Sequence, residues 1–127
     1  MRSIRFITLA AALPLALSLA ACSSSRDVEV TGEVSAAQVQ GEIFLEFFDT
    51  DGDQPESVHT ATLSAPGVFT ETVPLAGDKV LIRAIDDADG DGACSAGERW
   101  AEVEADIDEN DEVKDVLLVL AQKPCPE

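Results

Sequence analysis

Alternation of apolar and polar residues is the feature that most constrains what this chain can fold into. In segment 27–34, Val28, Val30 and Val34 lie on one face, and acidic or polar residues lie on the other. Side chains of a β-strand point alternately to its two faces, so this spacing predicts a half-buried strand. Alternating or β-branched runs recur in six further segments: 42–48, 57–64, 68–73, 79–85, 100–107 and 116–120.

Turn residues separate these predicted strands. Segments 65–67 and 74–78 are rich in proline and glycine, which interrupt strands and favour turns. Seven short strands joined by turns predict an all-β, seven-stranded antiparallel β-sandwich of the transthyretin-like or immunoglobulin-like kind. A small barrel is the alternative. Segment 116–120 is apolar on both faces, which predicts a central strand.

The amino-terminal segment has the features of a secretory signal. Arg2 and Arg5 precede an apolar run at 7–19, and small residues follow it. The run is shorter than the roughly 20 apolar residues that span a bilayer. We therefore expect three regions: a cleaved signal peptide at 1–21, a polar tether at 22–26 and a β-sandwich domain at 27–127.

The sequence Leu19-Ala20-Ala21-Cys22 at the end of this segment resembles the lipobox of bacterial lipoproteins. The resemblance implies that the Cys22 sulfur receives a diacylglyceryl group, that the chain is cut before Cys22, and that the new amino terminus is acylated. Two or three acyl chains anchor a protein stably to a membrane. Ser23 resembles the outer-membrane sorting pattern, which implies a lipid-anchored location in the bacterial cell envelope, at the outer membrane.

Composition argues against two classes of function. The chain has 25 acidic and 8 basic residues and a net charge of −17. Nucleic acid is not an expected partner, because binding phosphates requires clustered Lys and Arg. One His and no Tyr leave few groups for acid–base catalysis, so we do not expect an enzyme or a catalytic residue. We expect His59 on an exposed strand face.

The order of several short motifs resembles the carboxypeptidase-regulatory, transthyretin-like sandwich family. The resemblance covers about 28–120 and implies a non-catalytic module. It is carried by Gly32-Glu33-Val34, Ile43-Phe44-Leu45-Glu46-Phe47, Pro66-Gly67-Val68-Phe69, Val73-Pro74-Leu75-Ala76-Gly77 and Val80-Leu81-Ile82-Arg83-Ala84.

One acidic loop, 87–98, has the spacing of an EF-hand calcium loop. Acids stand at its first, third and fifth positions, glycine at the sixth and glutamate at the twelfth. Ca²⁺ takes six to eight oxygens, and alternate residues of a tightly turning loop can all point inward. Strand-like runs flank the loop where an EF-hand has helices, as in the calcium loops of extracellular modules. The predicted Ca²⁺ ligands are Asp87, Asp89, Asp91, Ala93 through its carbonyl, Ser95 and Glu98; the alternative is a solvated acidic hairpin.

A second acidic pentad, 49–53, repeats the first part of this pattern. Asp49, Asp51 and Asp53 have the same spacing, but Gln54 replaces the glycine and Thr60 stands at the twelfth position. An acidic turn is the favoured interpretation, and a weak second metal site is the alternative.

Cys94 and Cys125 remain after Cys22 is assigned to the lipid, and an even number in an exported chain predicts a disulfide. If consecutive strands alternate in direction, both cysteines lie at one pole and the lipid-bearing end lies at the other.

Together these features predict a membrane-anchored, non-enzymatic envelope module that binds Ca²⁺. The alternative function is recognition of an envelope glycan or protein through a calcium-ordered loop.

Overall fold

The computed structural model describes residues 24–126, which form eight β-strands. The predicted signal peptide, Cys22 and Ser23 lie outside the described residues. All seven predicted strand segments coincide with strands of the structure, and one more strand of two residues follows them. The strands are β1 (Arg26–Ser35), β2 (Glu42–Asp49), β3 (Glu56–Leu63), β4 (Gly67–Leu75), β5 (Lys79–Asp87), β6 (Arg99–Asp106), β7 (Glu112–Val119) and β8 (Ala121–Gln122).

The strands form a two-sheet sandwich, which confirms the predicted fold class. One sheet has the order β4-β1-β7, and the other has the order β3-β2-β5-β6-β8. All neighbouring strands are antiparallel except β1 and β7, which pair in parallel. Successive strands alternate in direction along the chain, so β1 and β7 run the same way. Their pairing is therefore parallel.

The alternating apolar residues face each other between the two sheets. Val28, Val30 and Val34 of β1 are at most 1% exposed, as predicted, and they belong to one core cluster with the inward side chains of the second sheet. His59 differs from its predicted exposed position. Its ring lies 5.5 Å from that of Phe47, and its Nε2 is 3.4 Å from a carboxylate oxygen of Glu71.

Strand β7 is an edge strand, so the prediction of a central strand at 116–120 was wrong. Its outward residues Leu117 and Val119 are 53% and 57% exposed. The segment was predicted to be central because these outward residues are apolar, although within residues 24–126 no second strand covers that edge. A bulge lies just before the segment. The pairing with β1 shifts register, and Asp115 adopts a φ of 59°. The extra residue reverses which positions face inward, so Val113 and Val116 are both buried.

The strand directions fix two poles. At one pole, Arg26 at the start of β1 pairs with Leu75, and its Nε donates a hydrogen bond to Asp111. At the other pole, Glu42 at the start of β2 pairs with Asp87 at the end of β5. At about 3.3 Å per residue, β1 separates the poles by roughly 30 Å. Residues 24–126 contain no helix long and apolar enough to cross a bilayer.

Candidate metal centre

The acidic loop connects β5 to β6 at the pole opposite Arg26. Asp87 is the last residue of β5, and Glu98 directly precedes β6, so the two strands hold both ends of the loop. Three glycines give the chain its turns, with φ values of 72° at Gly90, 72° at Gly92 and 88° at Gly97. L-residues with side chains rarely adopt such angles. Gly92, the glycine at the sixth position of the loop, therefore lies at a turn that other residues would rarely form.

The four acidic side chains predicted as ligands converge. Asp87, Asp89, Asp91 and Glu98 each present an oxygen atom, and these atoms all lie within 4.8 Å of one another. Asp87 and Glu98 are buried, whereas Asp89 and Asp91 are exposed. The cluster therefore has a buried inner side next to the strand ends and an outer side open to solvent.

Backbone N–H groups hold the two buried carboxylates in place. The N–H of Ser95 donates to Glu98 Oε1 at 2.6 Å, and the N–H of Ala88 donates to Glu98 Oε2 at 2.8 Å. Asp87 accepts hydrogen bonds from the N–H groups of Gly92, at 2.8 Å, and Asp91, at 3.2 Å. A carboxylate has about four acceptor sites, so each of these groups retains acceptor capacity for a cation.

The remaining two predicted ligands occupy the outer side. The hydroxyl of Ser95 donates to Asp89 Oδ2 at 3.0 Å, which places Ser95 beside the cluster. The N–H of Ala93 donates to Asp91 Oδ1 at 2.9 Å. Coordination through the Ala93 carbonyl remains a prediction.

Crowding of the acidic side chains shifts the pKa values of two of them, Asp87 and Asp89. Burial raises the pKa of Asp87, and the neighbouring Asp89 and Asp91 carboxyls also act to raise it. Hydrogen bonding with the Asp91 and Ser95 side chains lowers the pKa of Asp89. Two adjacent carboxyls with opposite shifts cannot ionise independently. A divalent cation would stabilise the charged form of all four, and carboxylate and hydroxyl oxygens suit Ca²⁺ rather than Zn²⁺.

Sequence reasoning did not single out three residues that lie next to the loop. Asp86 is 3% exposed and accepts hydrogen bonds from the N–H groups of Gln40 and Gly41, at 2.7 and 2.9 Å. Phe44 and Thr62 line a groove of about 770 Å³ beside the loop. The acidic run at 86–87 is the only sequence signal that pointed to Asp86. No motif marked the groove, because residues from three separate segments of the chain line it.

Cys94 and Cys125 lie at disulfide distance, with their Cα atoms 5.7 Å apart. The bond joins the acidic loop to the carboxyl-terminal tail. Trp100, which is 8% exposed, donates hydrogen bonds from Nε1 to the carbonyl oxygens of Lys123 and Pro124. The tail is therefore packed against the first residues of β6.

The second acidic pentad is not assembled as a metal site. Asp49 is buried, and its carboxylate accepts hydrogen bonds from the N–H groups of Ala76, Gly77 and Asp51. Burial acts to raise the pKa of Asp49, but these hydrogen bonds and the charge of Arg26 outweigh it, so the net pKa is lowered. Within residues 24–126, its oxygens do not gather with those of Asp51 and Asp53 as the loop carboxylates do. Asp49 thus secures the turn between β4 and β5.

Comparisons with known proteins bear on the fold. No protein-family model matches this chain, and no curated protein matches it. Among solved structures, the chain is similar to a fimbrial assembly protein from Parabacteroides distasonis ATCC 8503. The TM-score is 0.52 at 13% identity, covering 77% of this chain and 53% of that protein. The chain thus spans about half of that structure, and the similarity supports a shared β-rich fold.

Proposed function

We propose that this chain is a non-enzymatic lipoprotein of the bacterial cell envelope whose β-sandwich binds Ca²⁺ through the loop 87–98. The domain serves as a structural or binding module, held to the membrane by acyl chains on Cys22. The observation that carries the calcium proposal is the convergence of four carboxylates within 4.8 Å at one pole of the sandwich. The fold similarity to a fimbrial assembly protein is in keeping with an envelope module.

The strand directions support an orientation in which the calcium loop faces away from the membrane. The lipid-bearing Cys22 is four residues before Arg26, which begins β1 at the pole opposite the loop. The excess of acids also repels anionic headgroups, because the chain carries a net charge of −17. The acyl chains, rather than the protein surface, would hold the domain to the membrane.

Isothermal titration calorimetry of the full chain in detergent tests calcium binding. We expect one site per chain, with a Kd of about 10⁻⁴–10⁻³ M, the range of extracellular calcium modules. Asp91→Ala should abolish the heat of binding, because it removes the ligand oxygens of Asp91, and the exposed position should make the change small for folding. Asp53→Ala in the second pentad is the matched control and should bind as the wild type does. No heat with wild-type protein at millimolar Ca²⁺ would refute the proposal.

Recognition of a glycan or protein is the second candidate, and the groove beside the loop favours it. The groove of about 770 Å³ is lined by Phe44, Thr62 and loop residues 87–92, so an ordered loop would shape one wall of it. A glycan array and an envelope pulldown, each with Ca²⁺ and with chelator, test this function. Capture that is independent of Ca²⁺ would argue against a calcium-ordered recognition site.

A further inference from the structure

The Cys94–Cys125 disulfide attaches the acidic loop to the protein at a third point. Strands β5 and β6 hold the ends of the loop, whereas Cys94 stands in its second half, between the predicted ligands Ala93 and Ser95. Cys125 is 31 residues further along the chain. The disulfide therefore restrains a part of the loop that neither strand reaches.

The tail that carries Cys125 is itself anchored beside the calcium ligands. Residues Ala121 and Gln122 of β8 pair with Trp100 and Arg99 of β6, directly after the ligand Glu98. Trp100 Nε1 lies 3.3 Å from the Lys123 carbonyl oxygen, and the Lys123 ammonium lies 4.1 Å from the centroid of the indole ring. The disulfide thus ties the outer part of the loop to the strand that positions Glu98.

We propose that this disulfide is a positioning bond of the calcium site, so that the redox state of the cysteines and calcium binding control each other. The inference depends on the calcium binding proposed above. In the oxidised protein the loop is already ordered near its bound shape. In the reduced protein part of that order is lost, and Ca²⁺ must restore it at the expense of binding free energy.

Thermodynamic linkage makes the effect reciprocal. If the disulfide tightens calcium binding by some factor, Ca²⁺ makes the disulfide harder to reduce by the same factor. We expect the disulfide to change the calcium affinity by a factor of roughly five to ten, which is at the low end for coupled sites. The factor is small because two strands already hold the ends of the loop. For this two-electron couple, a tenfold factor corresponds to about 30 mV.

The redox step is an ordinary thiol–disulfide exchange with a dithiol such as dithiothreitol. The Cys94–Cys125 sulfur–sulfur bond breaks, two electrons and two protons pass to the cysteines, and the dithiol forms its own cyclic disulfide. A hollow of about 560 Å³ borders the bond and is lined by both cysteines, Ala96, Gly97, Gln122, Lys123 and Pro124. The half-buried sulfurs are therefore open to a small reductant.

Two measurements on the full chain in detergent test the coupling. The first compares the calcium Kd of the oxidised wild type with that of the double variant Cys94→Ser, Cys125→Ser, whose folding is checked by circular dichroism. The second titrates the wild-type disulfide in dithiothreitol redox buffers, with saturating Ca²⁺ and with chelator, and needs no cysteine variant. Asp91→Ala is the matched control, because it keeps both cysteines and removes a predicted ligand.

The expected result is a five- to tenfold higher Kd in the double variant and a shift of the same factor in the redox midpoint of the wild type. The midpoint shift should be absent in Asp91→Ala. A disulfide that only stabilises the tail would leave the midpoint insensitive to Ca²⁺. Equal Kd values with an unmoved midpoint overturn this inference and leave the calcium site intact. Absence of calcium binding in the oxidised wild type overturns both the inference and the proposed function.

Discussion

Glu98 holds the loop through backbone hydrogen bonds and is also a proposed Ca²⁺ ligand, and its replacement by Gln tests both roles. Its two carboxylate oxygens accept hydrogen bonds from the backbone N–H groups of Ser95 and Ala88, at 2.6 and 2.8 Å. The side chain is 7% exposed, so water cannot readily replace either partner. An amide has one oxygen and one NH₂ group, and therefore one of these N–H groups would face a donor instead of an acceptor.

The magnitude follows from the cost of an unsatisfied buried donor, about 1–3 kcal/mol. We expect Glu98→Gln to lower the free energy of unfolding by that amount when Ca²⁺ is removed with chelator. With a slope of about 1–3 kcal/mol per M, the urea midpoint should fall by roughly 1 M. With Ca²⁺ present, the wild type and the variant should differ more in their free energy of unfolding. A ligand at 100 times its Kd stabilises the wild type by about 2.7 kcal/mol, and the variant loses this gain.

Urea denaturation followed by Trp100 fluorescence, with Ca²⁺ and with chelator, provides the assay, and Asp91→Ala is the comparison. Asp91 is exposed, so its variant should lose the calcium-dependent gain while keeping nearly the full stability measured in chelator. Equal midpoints for the two variants in chelator would refute the structural role assigned to the Glu98 carboxylate. A full calcium-dependent gain in both variants would refute their roles as ligands.

Three other perturbations test the body and the anchor of the molecule. Gly32→Ala should cost about 1–3 kcal/mol in urea denaturation, because its Cβ would stand 2.8 Å from the Phe69 ring and 2.7 Å from a β7 carbonyl oxygen. Asp49→Asn should destabilise the protein near neutral pH. The native pKa of Asp49 is below its ordinary value of 3.8, so the carboxylate stabilises the fold above that value, and the deficit of the variant should shrink as pH falls through the native pKa. Cys22→Ser should move the protein out of the detergent phase in phase partitioning, because it removes the lipid attachment site.

Each of these three has a clear contrary result. Thr31→Ala is the control for Gly32, since it changes a neighbouring residue of β1 and should shift stability by no more than about 0.5 kcal/mol. Wild-type stability in Gly32→Ala would mean that β1 and β7 can separate to admit a methyl group. A deficit of Asp49→Asn that grows on acidification would contradict a lowered native pKa. Unchanged detergent partitioning of Cys22→Ser would contradict the lipoprotein interpretation.

Most of the fold could be predicted because alternation reports directly on which side chains face the core. The prediction of a central strand at 116–120 failed because Leu117 and Val119 are apolar although they face outward on an edge strand. A separate irregularity, just before this segment, was not predicted. Asp115 adds one residue to β7, and the residues on its two sides then follow opposite phases of the alternation. No sequence pattern marks this bulge, because Asp at a φ of 59° is one of several ways to terminate or bend a strand. His59 was predicted to be exposed because polar residues surround it in the sequence. The pairing of β3 with β2 instead sets it opposite Phe47.

The two acidic pentads show why a ligand motif needs its whole loop. Asp87 and Asp49 each end a strand, and each accepts hydrogen bonds from backbone N–H groups. After Asp87 the chain turns back at Gly92, and Glu98 closes the ring of oxygens through the start of β6. Counted from Asp49, Gln54 stands at the sixth position and Thr60 at the twelfth, and the Asp49 carboxylate instead accepts hydrogen bonds from the turn between β4 and β5. The residues at the sixth and twelfth positions therefore distinguish a loop whose carboxylates converge from an acidic turn, and both positions can be read from the sequence.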